Sequence, residues 1–329
     1  MRFPVHMIVS AACAACWCAV DAGIPLTTVA VPPPTMADGA PRDLPGLHNV
    51  VAYHEGFWSG GVPEGQAGFD SLRSLGVRTV ISVDGALPDL ALAKAAGLRF
   101  VHLPIGYDGF DDARKAELVR AVRDLPRPIY MHCHHGKHRS AGAAAAVAVS
   151  LGWMTNEQAA ARMKVSGTAP GYAGLWSCAA KAAPMAAAAI DAASGAFPEV
   201  TRPTTFVASM VAMDEAFDRL KLAQQAGWKA PADHPDLAPI ADAGKLADLF
   251  RLIDAGTRPQ CAPEAAAGMR AIFVRDADAA SALESALERL GAARTTKDES
   301  AAARESAAAT AAMASLAADC KACHVKFRD

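Results

Sequence analysis

Residues 131–140 read Met-His-Cys-His-His-Gly-Lys-His-Arg-Ser, with Cys133 directly after an apolar, β-rich run and Arg139 six residues later, just ahead of a helical pattern. A loop in that position turns successive backbone N–H groups inward at a helix N-terminus, which makes a seat for an oxyanion. The same amides, the helix dipole and Lys137 or a nearby histidine stabilise negative sulfur, so the spacing predicts a low-pKa, nucleophilic thiolate at Cys133. Arg139 offers two parallel donors to phosphoryl oxygens and keeps its charge at any working pH. Gly136 leaves the backbone bare where a ligand approaches.

A second cluster, Cys320-Lys321-Ala322-Cys323-His324, has the spacing of covalent c-type haem attachment. Its two thiols suit the vinyl-derived positions of one porphyrin, and the adjacent imidazole suits the iron. A redox or zinc pair is the alternative for Cys-x-x-Cys alone, and the added histidine argues against it.

The elements that must position the first cluster read as α/β. Strand-like runs at 50–53, 79–83, 100–103 and 129–132 alternate with helical patterns near 66–75, 89–96 and 112–125. After Ser140 an alanine-rich run predicts a helix buried beneath a sheet, and another helix follows near 155–164. From 203 onward the pattern holds no convincing strand. Apolar steps of three and four mark four helices, through Phe206, Met210, Met213, Phe217 and Leu220, through Leu246, Leu249, Phe250 and Ile253, through Met269, Phe273, Leu283, Leu287 and Leu290, and through Met313, Leu316, Cys320, Cys323 and Phe327. Short connections between them predict an all-α antiparallel four-helix bundle following the α/β half.

His132-Cys133 through Arg139-Ser140 matches the HCxxGxxRS loop and resembles the cysteine-dependent protein tyrosine and dual-specificity phosphatase superfamily. Phe57-Trp58-Ser59-Gly60-Gly61-Val62-Pro63 also looks like the opening segment of its compact bacterial members. The resemblance spans about residues 48–180, within a phosphatase-like domain placed at 46–180. It implies that Cys133 attacks phosphorus, Arg139 binds the phosphoryl group, Ser140 stabilises the departing thiolate and His132 orients the cysteine loop. It also implies an aspartate on a loop after an upstream strand as proton donor. Asp108 in Val101–Asp108 fits that place best, because Asp111 and Asp112 suit helix capping and Asp84 suits a turn. His134, His135, Gly136, Lys137 and His138 are the candidate substrate-binding residues. The three loop histidines either make the anion site acid-sensitive or point outward while the backbone binds; a metal site built from them is disfavoured, since neighbours on a tight loop seldom converge on one ion.

The last helix, with CxxCHxxFR near its end, resembles the cytochrome c prime family over residues 203–329. That resemblance implies one covalent haem c per chain, with Cys320 and Cys323 attaching it, His324 on the iron, and Met210 facing the other side of the metal. Met213 lies one turn further along, and the bland alternative is two core methionines. Phe206 departs from the family, which often has arginine there.

With 32 basic against 34 acidic residues the chain has no general attraction for nucleic acid, and 52% hydrophobic content excludes a mainly disordered polymer. Residues 1–22 look like an export signal, which predicts a periplasmic or exported protein, with lipid attachment at Cys13 as a variant that would anchor it to a membrane. Prolines and glycines make 23–45 a flexible tether and place a linker at 181–202. Cys178 and Cys261 read as buried small hydrophobes. The expected substrate is a phosphorylated protein or small phosphate monoester. A redox partner protein and a homodimer through the helix bundle are further expected partners. The competing reading is a non-enzymatic haem electron carrier or sensor whose loop only binds an anion.

Overall fold

The structure is a computed structural model that describes residues 32–201, 205–253 and 262–327. The expected export signal, the first part of the tether and Cys261 lie outside the described residues. Residues 32–44 are largely exposed but tied down by hydrogen bonds: Trp58 Nε1 donates to the Pro34 carbonyl at 3.1 Å, Arg162 donates to the Asp38 carbonyl at 2.7 Å, and strand β1 (Arg42–Leu44) pairs with β2 (Leu47–His54). Proline content there marks an extended backbone, and extended backbone beside a sheet edge gains hydrogen bonds.

The sheet continues with β3 (Phe57–Gly60), β4 (Thr79–Ser82), β5 (Arg99–His102) and β6 (Ile129–His132), in the spatial order β1-β2-β3-β6-β4-β5. The β1, β2 and β3 pairings are antiparallel; β3, β6, β4 and β5 run parallel to one another. Both β4 and β6 are buried at every residue, as expected for central parallel strands. Helices α1 (Gly65–Ser74) and α2 (Leu90–Ala95) share a core with one face through Leu72, Ala93, Val80 and Tyr130. Helices α3 (Asp112–Asp124), α4 (Arg139–Ser150), α5 (Asn156–Val165) and α6 (Ala173–Ala180) cover the other. Every residue of α4 is buried, which is why its sequence is almost entirely alanine, glycine and valine.

The proposed linker is partly helical. Helix α7 (Ala187–Ala192) packs against α3, and Thr201 donates backbone and hydroxyl hydrogen bonds to His102. Beyond it come α8 (Phe206–Gln225), α9 (Pro239–Leu252), α10 (Pro263–Thr296) and α11 (Glu299–Phe327). Helix α9 packs on α8 and α10, and α10 on α11. Helix α10 runs on past Leu290, the last position of its apolar pattern, and stops at Lys297 in left-handed geometry, φ 58°. The apolar core on the α4 side continues without a break into these helices. The described residues from Pro32 to Phe327 therefore form one compact unit, not two independently cored halves. Among the described residues no helix is long and apolar enough to cross a membrane.

Candidate active site

Parallel pairing brings the C-terminal ends of β4, β5 and β6 together, the place where open α/β sheets build ligand sites. The Val83 amide extends the β4–β6 ladder by bonding the His132 carbonyl at 2.9 Å, so Asp84 arrives beside the turn that begins at Cys133. On the other side of β6, the Val62 amide bonds the His134 carbonyl at 3.1 Å and pins the loop to the β3 exit. Gly136 sits at φ +74°, and a Cβ there would lie 2.3 Å from the backbone of Gly60 and Gly61. Its glycine is required by backbone packing against β3, whereas the sequence suggested ligand approach as the reason.

Cys133 is 3% exposed and its Sγ lies 3.3 Å from Ser140 Oγ. The hydroxyl of Ser140 also reaches the Gly60 carbonyl at 3.4 Å. Arg139, the first residue of α4, is 1% exposed, and its guanidinium is held by three side chains. Its NH2 donates to Asp84 at 3.2 Å, to the Tyr107 hydroxyl at 2.9 Å and to Asp248 Oδ1 at 3.2 Å, while NH1 donates to Asp248 Oδ2. The Tyr107 ring lies under the guanidinium at 4.1 Å. Arg139 Nε is buried with no hydrogen-bond partner among the described residues, so one donor of the fork stays available to an incoming oxygen.

Two carboxylates on one guanidinium cannot share it equally. Asp84 is held well below the ordinary carboxylate range, because the attraction of Arg139 and nearby histidines outweighs its burial. Asp248 is pushed up to about 7 by burial, which outweighs Arg139. Burial likewise pushes His132, His134 and His135 down to about 4, and His138 well below its usual value. All four imidazoles are therefore neutral near neutral pH.

The predicted residues do not all converge. Cys133, Arg139 and Ser140 form one cluster, and His132 is buried beneath them between Phe100 and Tyr130. His134 and His135 are half-buried and stack edge to face at 4.6 Å. His138 is turned away onto Tyr172, ring centroids 4.0 Å apart. Lys137 is exposed. Asp108 is exposed on the loop after β5, its carboxylate folded back over Gly106, and among the described bonds it makes none to Arg139. Cys178 is half-buried and bonds the backbone of Phe110 at 3.4 Å, bracing that loop.

Sequence reasoning missed Tyr107 and Asp248. A signal for Asp248 exists: it interrupts Leu246-Ala247-Asp248-Leu249-Phe250, an apolar stretch of a helix buried nearly all round, and an acid there must meet a cation.

The haem-motif residues lie at the far end of α11. Cys323 is buried, Cys320 is half-buried, and His324 is exposed beside them. Half-buried Met210 and Phe206 on α8 and buried Met269 and Phe273 on α10 belong to the same apolar cluster as Cys320, Cys323 and Phe327. Burial and Asp276 push the Cys320 thiol up to about 11. Two thiols one helical turn apart with an imidazole alongside fit a covalently held haem in donor chemistry. Among the described residues no group of three or more His, Cys, Asp or Glu side chains is arranged to hold a bare metal ion.

The chain matches no protein-family model, and no curated protein matches it. It is similar in structure to a DUF442 protein from Shewanella putrefaciens CN-32, at 20% identity and TM-score 0.34, over 42% of this chain and 95% of that one. A serine-for-cysteine variant of TpbA from P. aeruginosa, in complex with phosphotyrosine, aligns at 22% identity and TM-score 0.33, over 45% of this chain and 99% of that one. The core catalytic domain of the PP-IP phosphatase SIW14 from S. cerevisiae aligns at 15% identity and TM-score 0.31, over 48% and 88% respectively.

Proposed function

We propose that this chain hydrolyses phosphate monoesters through a phosphocysteine intermediate and carries a covalent haem c on its helical half. The observation that carries the first part is Cys133 beside Ser140 at 3.3 Å, with a buried Arg139 at the start of α4 that keeps an unpartnered Nε.

In the proposed reaction the Cys133 thiolate attacks phosphorus while Arg139 and the loop amides hold the equatorial oxygens. The bond from phosphorus to the ester oxygen breaks, and that oxygen takes a proton from Asp108. Asp84 is unsuited to that task, because Arg139 holds it ionised. Water then attacks phosphorus, Asp108 accepts its proton, the sulfur–phosphorus bond breaks with the Ser140 hydroxyl stabilising the thiolate, and inorganic phosphate leaves. Asp108 must swing from its place over Gly106 toward the bound ester for this sequence.

Cys320 and Cys323 would hold the haem covalently, with His324 and Met210 as the candidate iron ligands, in a four-helix bundle of α8 to α11. The group when bound supplies reversible one-electron transfer. Export to the periplasm through residues 1–22 completes the reading. A non-enzymatic haem carrier or sensor with an anion-binding loop is favoured by one observation, the capture of Arg139 by Asp84 and Asp248.

Aryl phosphate hydrolysis by haem-loaded protein, abolished in Cys133→Ser with the fold retained, tests the first part. Absence of hydrolysis in both haem oxidation states refutes it. Pyridine-haemochrome absorbance that resists acid extraction tests the second, and its absence in protein made with haem-attachment machinery refutes it.

A further inference from the structure

Helix α9 brings an anion of its own to the thiol loop. Both oxygens of Asp248 accept from the two terminal nitrogens of Arg139, the fork arrangement by which a guanidinium grips a phosphoryl group. The carboxylate is 10% exposed and wedged against the turn after β4, 3.1 Å from where a side chain on Gly85 would begin. Arg251, one turn further along α9, also donates to Asp248 Oδ1 at 3.2 Å and fixes its orientation. Helix α10 adds two more acids beside the loop. Glu284 accepts from the Tyr172 hydroxyl, and Glu288 stands 3.9 Å from His138. The helical half thus seats one carboxylate, Asp248, on the arginine fork, while Glu284 and Glu288 stand further back against Tyr172 and His138.

We propose that Asp248 is an internal competitor of the phosphoryl group: α9 keeps the site closed by seating this carboxylate on Arg139, and turnover requires its withdrawal. The proposal rests on reading the loop as that of a phosphatase. Three features support it. Asp84 stays on the guanidinium when Asp248 leaves, so opening does not strand a buried charge. The carboxylate leaves Arg139 Nε unsatisfied, and a tetrahedral oxyanion with more acceptors fills that donor. Burial pushes Asp248 up to about 7, so its anionic form sits on Arg139 against a desolvation cost that withdrawal relieves.

The test uses the full chain, unaltered and as Asp248→Asn and Asp248→Ala, with melting curves as the fold control. Iodoacetamide modification of Cys133, read by peptide mass, is titrated against orthovanadate, and aryl phosphate kinetics are measured alongside. Because apparent affinity falls by the fraction of molecules that are open, both variants are expected to lower the vanadate midpoint and KM by at least about tenfold. Equal midpoints in all three proteins overturn the proposal, whether or not the protein hydrolyses the ester. Lowered midpoints with no hydrolysis in any protein uphold the internal competitor and sink the catalytic reading instead. If both variants fail to fold, amide exchange in the unaltered chain decides: faster exchange across 239–252 on adding vanadate supports withdrawal of α9, and unchanged exchange with vanadate bound refutes it.

Discussion

Replacing Arg139 by lysine tests whether the guanidinium fork, and not its charge alone, holds the two halves of the molecule together. Arg139 is 1% exposed and bridges Asp84 after β4, Tyr107 after β5 and Asp248 on α9. An ammonium keeps the charge but supplies one point of contact, so Arg139→Lys leaves at least one buried carboxylate without its partner. At 3.2 Å the gross attraction of one such pair is about 5 kcal/mol at an effective dielectric of about 20. Desolvation offsets part of that, and removing one partner of a buried pair costs about 3–5 kcal/mol. That is a large share of a total stability of about 5–15 kcal/mol. Asp84→Asn should cost less, about 1–2 kcal/mol, because Asp248 still holds the guanidinium and the repulsion between the two acids disappears. The double variant Asp84→Asn/Arg139→Lys should then be less destabilised than the sum of the singles by about 1.5–3 kcal/mol. Urea unfolding near neutral pH measures all four corners of the cycle. Additivity to within about 0.5 kcal/mol, or a loss under about 1 kcal/mol for Arg139→Lys, would show that the fork is not structural.

Gly136→Ala meets both a left-handed backbone and the Gly60–Gly61 main chain at 2.3 Å, so it should cost about 2–4 kcal/mol in thermal unfolding. Gly152→Ala, at φ +72° but with open space around it, should cost only about 1–2 kcal/mol, and equal losses would discredit the packing argument. Ser140→Ala removes a hydroxyl from a thiolate leaving group, worth about 1.5–3 kcal/mol, so it should slow phosphocysteine breakdown about 10–100-fold and reveal a burst of phenol release. A linear time course at full rate would remove Ser140 from that step. His132, His134 and His135 have folded pKa values depressed to about 4 from 6.5, so the unfolded chain binds more protons between those values. Their contribution is present above about pH 6.5 and lost as pH falls toward about 4. Asp248, raised to about 7, acts in the opposite sense over much of that window. His134→Gln/His135→Gln should therefore flatten the acid loss seen by urea unfolding, and an unchanged slope would contradict the assignment. If the proposed haem binds with Met210 on its iron, Met210→Leu should change the absorbance spectrum of haem-loaded protein, and an unaltered spectrum rules Met210 out as a ligand.

The local chemistry was legible in the sequence because it depends on residues close along the chain. The thiol, arginine and serine of the loop had to follow a strand and open a helix, and β6, Cys133 and α4 take that order. The central strands were legible as short runs of apolar and β-branched residues, and the four later helices from periodicities of three to four. Two short strands were not: β1 sits in proline-rich sequence, and β3, Phe57–Gly60, holds no β-branched residue.

What surrounds the loop was decided by tertiary packing. Charge complementarity between positions 109 residues apart leaves no pattern in one chain, so Asp248 on Arg139 had no local trace beyond an acid set in an apolar helix. The same packing buried the loop histidines and kept them neutral, although their number suggested an acid-sensitive site. It also left Asp108 exposed, while Asp84, which reads as a turn residue, took the place beside the guanidinium. Residue type and spacing determined which groups could react. The energy of removing charges from water, which only the folded neighbours set, decided which of those groups are ionised and which partner each one holds.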